Sequence, residues 1–236
     1  WDVLDAFAQA AVQAGIPATD DFNRGSNEGV GYFEVNQKSG WRWNTAKAFI
    51  RPTCYARPNF ELWSSAQVAK LVMRTEADGT HHCTGVEVWT GHGYTTVTAK
   101  QSVVLCAGAI ATAQLLMLSG IGPAEQLEAL GIATRADLPV GRHCWDHPEW
   151  VISTDWPAAT DRPVLEAVLN LQDLEIRPYT NGFGAMTISI GVALMRPRAR
   201  GRAGAGGSAP GHRRHPGQQA AAMQAALVDA LGQLPG

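Results

Sequence analysis

The sequence predicts an α/β (α+β) protein, with an α/β part first and an antiparallel sheet after it. Three observations carry this. Val103-Val104-Leu105-Cys106 is continuously apolar, turns on Ala107-Gly108-Ala109 and opens into the apolar stretch Ala111–Leu118. That is the pattern of a strand buried on both faces feeding a helix N-terminus. Ala66 to Ala99 reads as three strands, the first two joined by the hairpin signal Asp78-Gly79-Thr80. Beyond residue 148, strand-like runs follow one another with loops and no helix between them, as in an antiparallel sheet. With 45% hydrophobic and 17% charged residues in 236, the chain can fill one core or two small ones. A net charge of −2 argues against a general nucleic-acid partner. No apolar run reaches about 18 residues, so no membrane span is expected.

The elements follow in order. Val3, Leu4, Phe7, Ala8, Ala11 and Val12 fall at helical spacing and Gly15 is a natural stop, so a helix is expected over 3–15. An irregular Asp-, Asn- and Gly-rich segment follows Ile16-Pro17, and Gly29–Gln37 is expected to be extended. Ser39-Gly40 turns into Trp41–Ile50, where Asn44 or Thr45 caps a short helix expected to end near Arg51, because Pro52 follows. Phe60–Ser64 alternates like a half-buried strand. Ala66–Arg74, His82–Thr90 and Tyr94–Ala99 are the hairpin strands, and Ser102–Cys106 is the buried strand before a helix from about Thr112 to Leu118. Pro123–Gly131 is a short helix with Pro at its start and Gly at its end. Leu138–Pro148 is a loop, and Glu149–Thr154, Leu174–Tyr179 and Ala185–Met195 are strands. After Arg202 the chain becomes Gly-, Ala-, Pro-, Arg- and His-rich, then Ala-rich from Gln218 to Leu234, which reads as a lone amphipathic helix.

Cys54, Cys83, Cys106 and Cys144 are scattered without a C-x-x-C pair. They read as free buried thiols of a cytoplasmic protein, not as a disulfide framework or zinc site. His81-His82 reads as a solvated hairpin position, since Cys83 points away from His82 in a strand.

The series Gly108-Ala109-Ile110, Thr112, Gln114-Leu115-Leu116 and Leu118-Ser119-Gly120-Ile121-Gly122-Pro123 closely resembles the second signature of the glucose-methanol-choline (GMC) oxidoreductases. It departs at Ala113, where the family has Pro at a helix start, a loss expected to cost little. Gly40–Phe49 resembles the family's G-x-R-x-S-x-x-A-x-L segment, Arg57-Pro58-Asn59-Phe60 its R-P-N-L turn, and Gly85-Val86-Glu87 its hairpin strand. Ser65-Ala66-Gln67-Val68 resembles the strand whose backbone faces the adenine of FAD. Leu138–Pro148 resembles the L-P-G-V-G-x-N-L-x-D-H-P loop near the flavin, short by one residue near Val140 and with His143 in place of Asn.

The resemblance implies an FAD-dependent oxidoreductase acting on CH–OH groups of small-molecule alcohol donors, with hydride passing to flavin N5. It implies a partial FAD-binding Rossmann-like domain of the GMC type over residues 1–147, with inserted loops. The start of an antiparallel substrate-binding sheet is implied over 148–202, followed by a low-complexity tail over 203–236 that is expected to be disordered or weakly helical. The implied cofactor-binding residues are Val68, Ala107, Gly108, Asp146 and His147. His147 has the titration range of a base, but the family's D-H-P histidine is not the catalytic base, so it is expected to fix the loop beside Asp146. Trp41, Trp43, Trp145 and Trp150 read either as an apolar lid over a substrate or as core filling. Cys144–Trp150, Glu175–Tyr179 and Gly191–Gly201 are most similar to the branch associated with mycofactocin, a peptide-derived redox cofactor of actinobacteria.

The family opens with a strand-turn-helix bearing G-x-G-x-x-G, on whose helix N-terminus the pyrophosphate sits. No G-x-G-x-x-G occurs in these 236 residues, and Gly204-Ala205-Gly206-Gly207 lies in the tail after no strand. The family's catalytic His and its partner lie beyond the substrate sheet, and no residue here matches them. The chain therefore reads as an internal fragment, with a frameshift or truncated gene model expected near residue 202. Such a chain is either an incomplete oxidoreductase completed by an N-terminal half, or a catalytically inactive interaction module without flavin.

Overall fold

The computed structural model describes residues 1–158, 163–181 and 187–198. The expected tail and its Ala-rich helix lie outside the described residues. In chain order, α1 (Asp2–Gln13) precedes β1 (Gly29–Tyr32), the short pair β2 (Gln37–Lys38) and β3 (Trp41–Arg42), and a π-turn (Ala46–Ile50) that runs into α2 (Arg51–Thr53). Next come β4 (Gln67–Thr75), β5 (His81–Trp89) and β6 (Tyr94–Thr98), then α3 (Gly108–Leu118), β7 (Ile121–Gly122), α4 (Ala124–Ala129) and β8 (Ala136–Asp137). Four strands end the described chain: β9 (Glu149–Pro157), β10 (Ala167–Leu171), β11 (Leu174–Tyr179) and β12 (Thr187–Leu194). The mixed α and β content with antiparallel sheets is the architecture the sequence predicts.

The described residues divide into two compact units, Trp1–Glu61 with Asp146–Arg198, and Leu62–Trp145. The first 61 residues thus fold with the antiparallel sheet. In this first unit the sheet order is β1-β10-β11-β12-β9, antiparallel throughout. Register pairs Val30 with Leu169 and Leu169 with Ile176, which sets all three on one face. Helix α1 lays Phe7, Ala8 and Ala11 against that face, so the apolar helical spacing of the sequence is spent on this core. The helix closes in a Schellman motif: Ile16 N–H donates to Ala11 O and Gly15 N–H to Val12 O, with Gly15 at φ 86. Sequence reasoning passed over β10, because its buried part, Ala167-Val168-Leu169, is a short apolar run with no polar alternation to announce it.

In the second unit β4, β5 and β6 form an antiparallel meander in that order. Its first turn is the predicted one, with Thr80 N–H donating to Asp78 Oδ1 and Gly79 at φ 86. Met117 and Leu127 are fully buried, packing α3 on α4 with Ala113, Leu130, Ile132 and Val140 around them.

Several local expectations are corrected. The helix expected to stop near Arg51 continues to Thr53. The π-turn hands over to a new turn in whose first residues Pro52 sits, where its missing N–H costs nothing. Asn44 caps it, its Oδ1 accepting the Lys47 N–H at 3.0 Å. Phe60–Ser64 is irregular, with Leu62 and Trp63 about half exposed. Ser102–Cys106 joins no ladder among the described residues, and Val104 is 79% exposed. Alternation or an apolar run gives a strand only where another strand supplies hydrogen-bond partners. Helix α3 begins at Gly108, four residues before the predicted start, so Ala113 lies inside it. None of the four free cysteines is buried, and Cys106 is exposed. Of the His81-His82 pair, His82 is exposed as expected, while His81 is half-buried and tethered: its Nε2–H donates to Arg135 O at 2.7 Å, and Nδ1 meets Thr75 Oγ1 at 2.9 Å.

Candidate functional site

In the second unit, α3 faces β4 across an open cavity of about 320 Å³. Ala107, Ala111, Gln114, Leu115 and Leu118 line it from the helix. Their spacing is one helical face. From β4 and the residue before it the lining is Ala66, Gln67, Val68 and Ala69, four residues in succession. Successive side chains alternate between faces, so the cavity borders the backbone edge of this outer strand. Tyr94 of β6 completes the lining, its ring centroid 5.0 Å from that of Trp89.

Two of the predicted cofactor-binding residues, Val68 and Ala107, therefore share one cavity. Gly108 follows at φ 88, starts α3 and does not line it. Sequence reasoning missed Tyr94 as a lining residue; its only signal is its register with Trp89, which in turn pairs with Gln67.

The second half of the signature has a structural task. Ser119 is buried; its Oγ accepts the Leu71 N–H at 2.8 Å and donates to Leu115 O at 2.6 Å. One hydroxyl thus ties the end of α3 to β4. Gly120 has φ 86, and Arg135 N–H and Ala136 N–H both donate to its carbonyl. Pro123 caps α4, whose Ala124 N–H donates to Asp137 Oδ1 at 3.0 Å.

Asp146 and His147 belong to the first unit. His147 N–H donates to Asp146 Oδ1 at 2.8 Å, and His147 Nδ1 lies 3.0 Å from Met195 Sδ. Leu194 N–H donates to Pro148 O at 3.0 Å, pinning the loop to the end of β12. Glu149 follows at once. Its Oε1 accepts from Arg177 Nε at 3.2 Å and from the Tyr179 hydroxyl at 2.7 Å, and Arg177 also donates to Glu175 at 2.8 Å. The side chains of Arg177, Glu149 and Glu175 are 22%, 20% and 13% exposed.

Burial, and next the bond to the Glu149 carboxylate, push the Tyr179 phenol up to about 12 from an ordinary 10. Burial pushes the Glu149 carboxyl the other way from its partners, but the bonds from Tyr179 and Arg177 outweigh it and hold the carboxyl below its ordinary value. A phenol raised in the fold stabilises it fully below its unfolded value near 10, and this is lost as pH rises toward 12. Thermal unfolding followed between pH 9 and 12 is expected to show the midpoint falling, and Tyr179→Phe to flatten that fall. An unchanged slope in the variant counts against this network.

Trp41, Trp145 and Trp150 are 71%, 56% and 74% exposed, which excludes core filling for them. Lys47 Nζ sits over the Trp41 and Trp43 rings at 5.6 and 5.7 Å, and Lys38 Nζ over Trp43 at 5.3 Å. Trp43 borders a wider open hollow of the first unit, about 1060 Å³, with Phe33, Lys38, Arg42, Phe49 and Val164. None of the predicted site residues lines it.

Comparison with known proteins bears on both units. A family model described as GMC oxidoreductase matches residues 3–149. An uncharacterized GMC-type oxidoreductase from the thcA 5′ region of Rhodococcus erythropolis is 37% identical over 217 residues, spanning 85% of this chain and 43% of that protein. An oxygen-dependent choline dehydrogenase of Brucella anthropi is 37% identical over 203 residues, spanning 84% and 35%. Among solved structures, pyridoxine 4-oxidase from Mesorbium loti has a TM-score of 0.75 at 22% identity, covering 97% of this chain and 49% of that one. A formate oxidase of Aspergillus oryzae, studied for modification of its FAD, has a TM-score of 0.70 at 20% identity, covering 90% and 48%. These two likenesses are of fold. The chain spans less than half the length of the curated relatives cited.

Proposed function

We propose that this chain, which belongs to the GMC oxidoreductase family, is part of an FAD-dependent oxidoreductase that oxidises the CH–OH group of a small alcohol. The observation that carries the reading is the cavity where Val68 meets the first half of the signature at Ala107–Leu118.

The residues present fit one end of FAD. A cavity of about 320 Å³ stands at the lower limit of small-ligand pockets, roughly 300–1,000 Å³. The outer strand β4 offers backbone donors and acceptors, and alanines at 66, 69, 107 and 111 leave room for a flat ring. The Val68 backbone would hold the adenine, with Ala107 and Gly108 beside the cofactor. The Asp146-His147 loop would stand near the flavin, His147 holding the loop. The phosphate-gripping G-x-G-x-x-G is not among these 236 residues. Bound FAD would supply the hydride acceptor at N5. The residues of this chain bind and orient; none is assigned as catalytic.

The finer assignments belong to the same proposal. Residues 1–147 would serve the FAD domain and 148–202 the substrate sheet. The mycofactocin-associated branch would supply the electron-acceptor cofactor, and the four free thiols suit the cytoplasm. The exposure of Val104 at 79% favours a second reading, an interaction module without flavin.

The test is purification of the 236-residue chain alone and with a co-expressed N-terminal family segment bearing G-x-G-x-x-G, followed by absorbance of bound flavin. Colourless protein alone and yellow complex are expected. Stoichiometric FAD on the chain alone would overturn the need for a second segment. A colourless complex would overturn the flavin reading and leave the interaction module.

A further inference from the structure

We infer that the open hollow of the first unit, bordered by the β2–β3 hairpin and residues 163–165, is a binding site for an aromatic carboxylate, a single negative charge on a flat apolar body. The hollow shares no residue with the β4–α3 cavity, so the inference stands whether or not this chain holds flavin.

From Val35 to Phe60 the chain carries five basic residues, Lys38, Arg42, Lys47, Arg51 and Arg57, and no Asp or Glu, in a protein of net charge −2. Lys38, Arg42 and Lys47 form no ion pair with another described residue. Lys38 Nζ and Lys47 Nζ stand instead over the Trp43 ring, at 5.3 and 5.7 Å from its centroid, and Lys47 Nζ also donates to Arg42 O at 3.3 Å. Local geometry brings them there. The hairpin turns on Ser39 at φ 51 and Gly40 at φ 76, both positive, as a two-residue turn requires, and so sets Lys38 opposite Trp41. Trp43 N–H donates to Asn36 O at 2.9 Å, which continues the register and keeps Lys38, Trp41 and Trp43 on one face of the ribbon. A ring face positions an ammonium without neutralising it. Two positive charges are thus held beside one aromatic ring with no carboxylate to answer them.

The rest of the lining calls for an apolar body. Phe33, Trp43, Phe49, Val164 and Leu165 border the hollow, and Phe49 is 66% exposed. Its volume of about 1060 Å³ lies at the upper end of small-ligand pockets, roughly 300–1,000 Å³, and admits fused rings. Charge selects the head group. The charged residues of the lining are Lys38, Arg42 and Glu34, which leaves one surplus positive charge. Glu34 stays at the rim, accepting from Asn23 Nδ2 at 3.3 Å. A carboxylate matches that surplus, whereas the second charge of a phosphate would go unmatched and face Glu34. A ligand cation is turned away from Trp43, the ring it would seek, because two lysine ammoniums already stand there. A neutral ring gains burial alone, and a carboxylate adds a charge-assisted hydrogen bond to an ammonium already in place.

The probes are 2-naphthoate, the neutral 2-naphthamide and the cationic 2-naphthylmethylamine, titrated into the full chain and followed by the amide shifts of Phe33–Lys38, Val164 and Leu165. Naphthoate is expected to perturb these amides and to bind about tenfold or more tightly than naphthamide, with the amine weakest of the three. Added salt is expected to narrow the gap between naphthoate and naphthamide. Lys38→Gln should weaken naphthoate by about fivefold and leave naphthamide unchanged, Lys38→Arg should keep the preference, and Phe49→Ser should weaken both. Lys38 and Phe49 are exposed, so these variants are expected to melt with the wild type, which circular dichroism checks. Equal binding of naphthoate and naphthamide, or tighter binding of the amine, overturns the inference. So does a naphthoate preference that survives Lys38→Gln undiminished, or wild-type protein whose Phe33–Lys38 amides do not respond to naphthoate.

Discussion

Gly191→Ala is expected to lower the unfolding free energy of the first unit by about 2–4 kcal/mol, read from urea or thermal unfolding. Gly191 sits on β12 opposite Arg177 of β11 and Val151 of β9. The Glu149 side chain crosses over it to reach Arg177 and Tyr179. A Cβ at Gly191 would overlap Glu149 Oε1 and stand 2.6 Å from a Tyr179 ring carbon. The carboxylate can swing aside, but Tyr179 then loses its hydroxyl acceptor and Arg177 one of its two carboxylates. Removing one partner of a fully buried pair costs about 3–5 kcal/mol. Here the charged groups keep about a fifth of their exposure, so the charge part is smaller, and displacement of a tyrosine ring is added to it. The mechanism has its own check in a double-mutant cycle with Glu149→Ala. If the alanine acts by evicting Glu149, its cost falls steeply once Glu149 is gone. Strictly additive costs would show that Gly191 matters for another reason. Because Glu149 directly follows Asp146-His147-Pro148, the variant also releases one anchor of that loop; the Leu194–Pro148 bond and the His147–Met195 contact remain.

The periodic parts of the fold were legible from residues alone. Helix α1, the β4–β5 hairpin and β11 were readable because each carries its own instruction: apolar spacing with a glycine stop, an Asp-Gly turn, a bounded strand run. Segments whose state depends on a partner were not. Ser102–Cys106 has the composition of a buried strand and no strand beside it among the described residues. Ala167–Leu171 pairs on both edges and could not be told from an apolar loop. The site shows the same divide. Ala107 and Val68 were found through a resemblance spread along the chain, and the structure places both at one cavity. Tyr94 and the Glu149–Arg177–Tyr179 group were missed, since they meet through cross-strand register that only the folded sheet fixes.

The other large effect is expected at the end of α3. Gly120→Ala should destabilise the second unit by about 3 kcal/mol or more. Gly120 adopts φ 86, which costs an L-residue about 1–2 kcal/mol by itself. An added Cβ would also stand 2.6 Å from Ala133 O, a backbone atom that cannot rotate away. The loop holding Ala133 is fastened to Gly120's own carbonyl through Arg135 and Ala136, and to the β4–β5 turn through the His81–Arg135 bond. Relief of the clash must therefore break bonds on one side or the other. The neighbouring Ser119→Ala is milder, about 1–3 kcal/mol, because it leaves the Leu71 N–H buried without its acceptor. The two variants separate stability from ligand binding. Ser119 is the hydroxyl that holds α3 to β4, and those two elements, with Ala107 and Ala66 immediately before them, supply nine of the ten residues lining the cavity, all but Tyr94. A folded Ser119→Ala protein should thus bind AMP, the adenine end of FAD, more weakly although Ser119 does not line the cavity. If AMP affinity is untouched while the melting midpoint falls, the Ser-Gly-Ile-Gly-Pro half of the signature serves the fold alone. If both fall together, it is also the fastening that keeps the β4–α3 cavity closed to its working width.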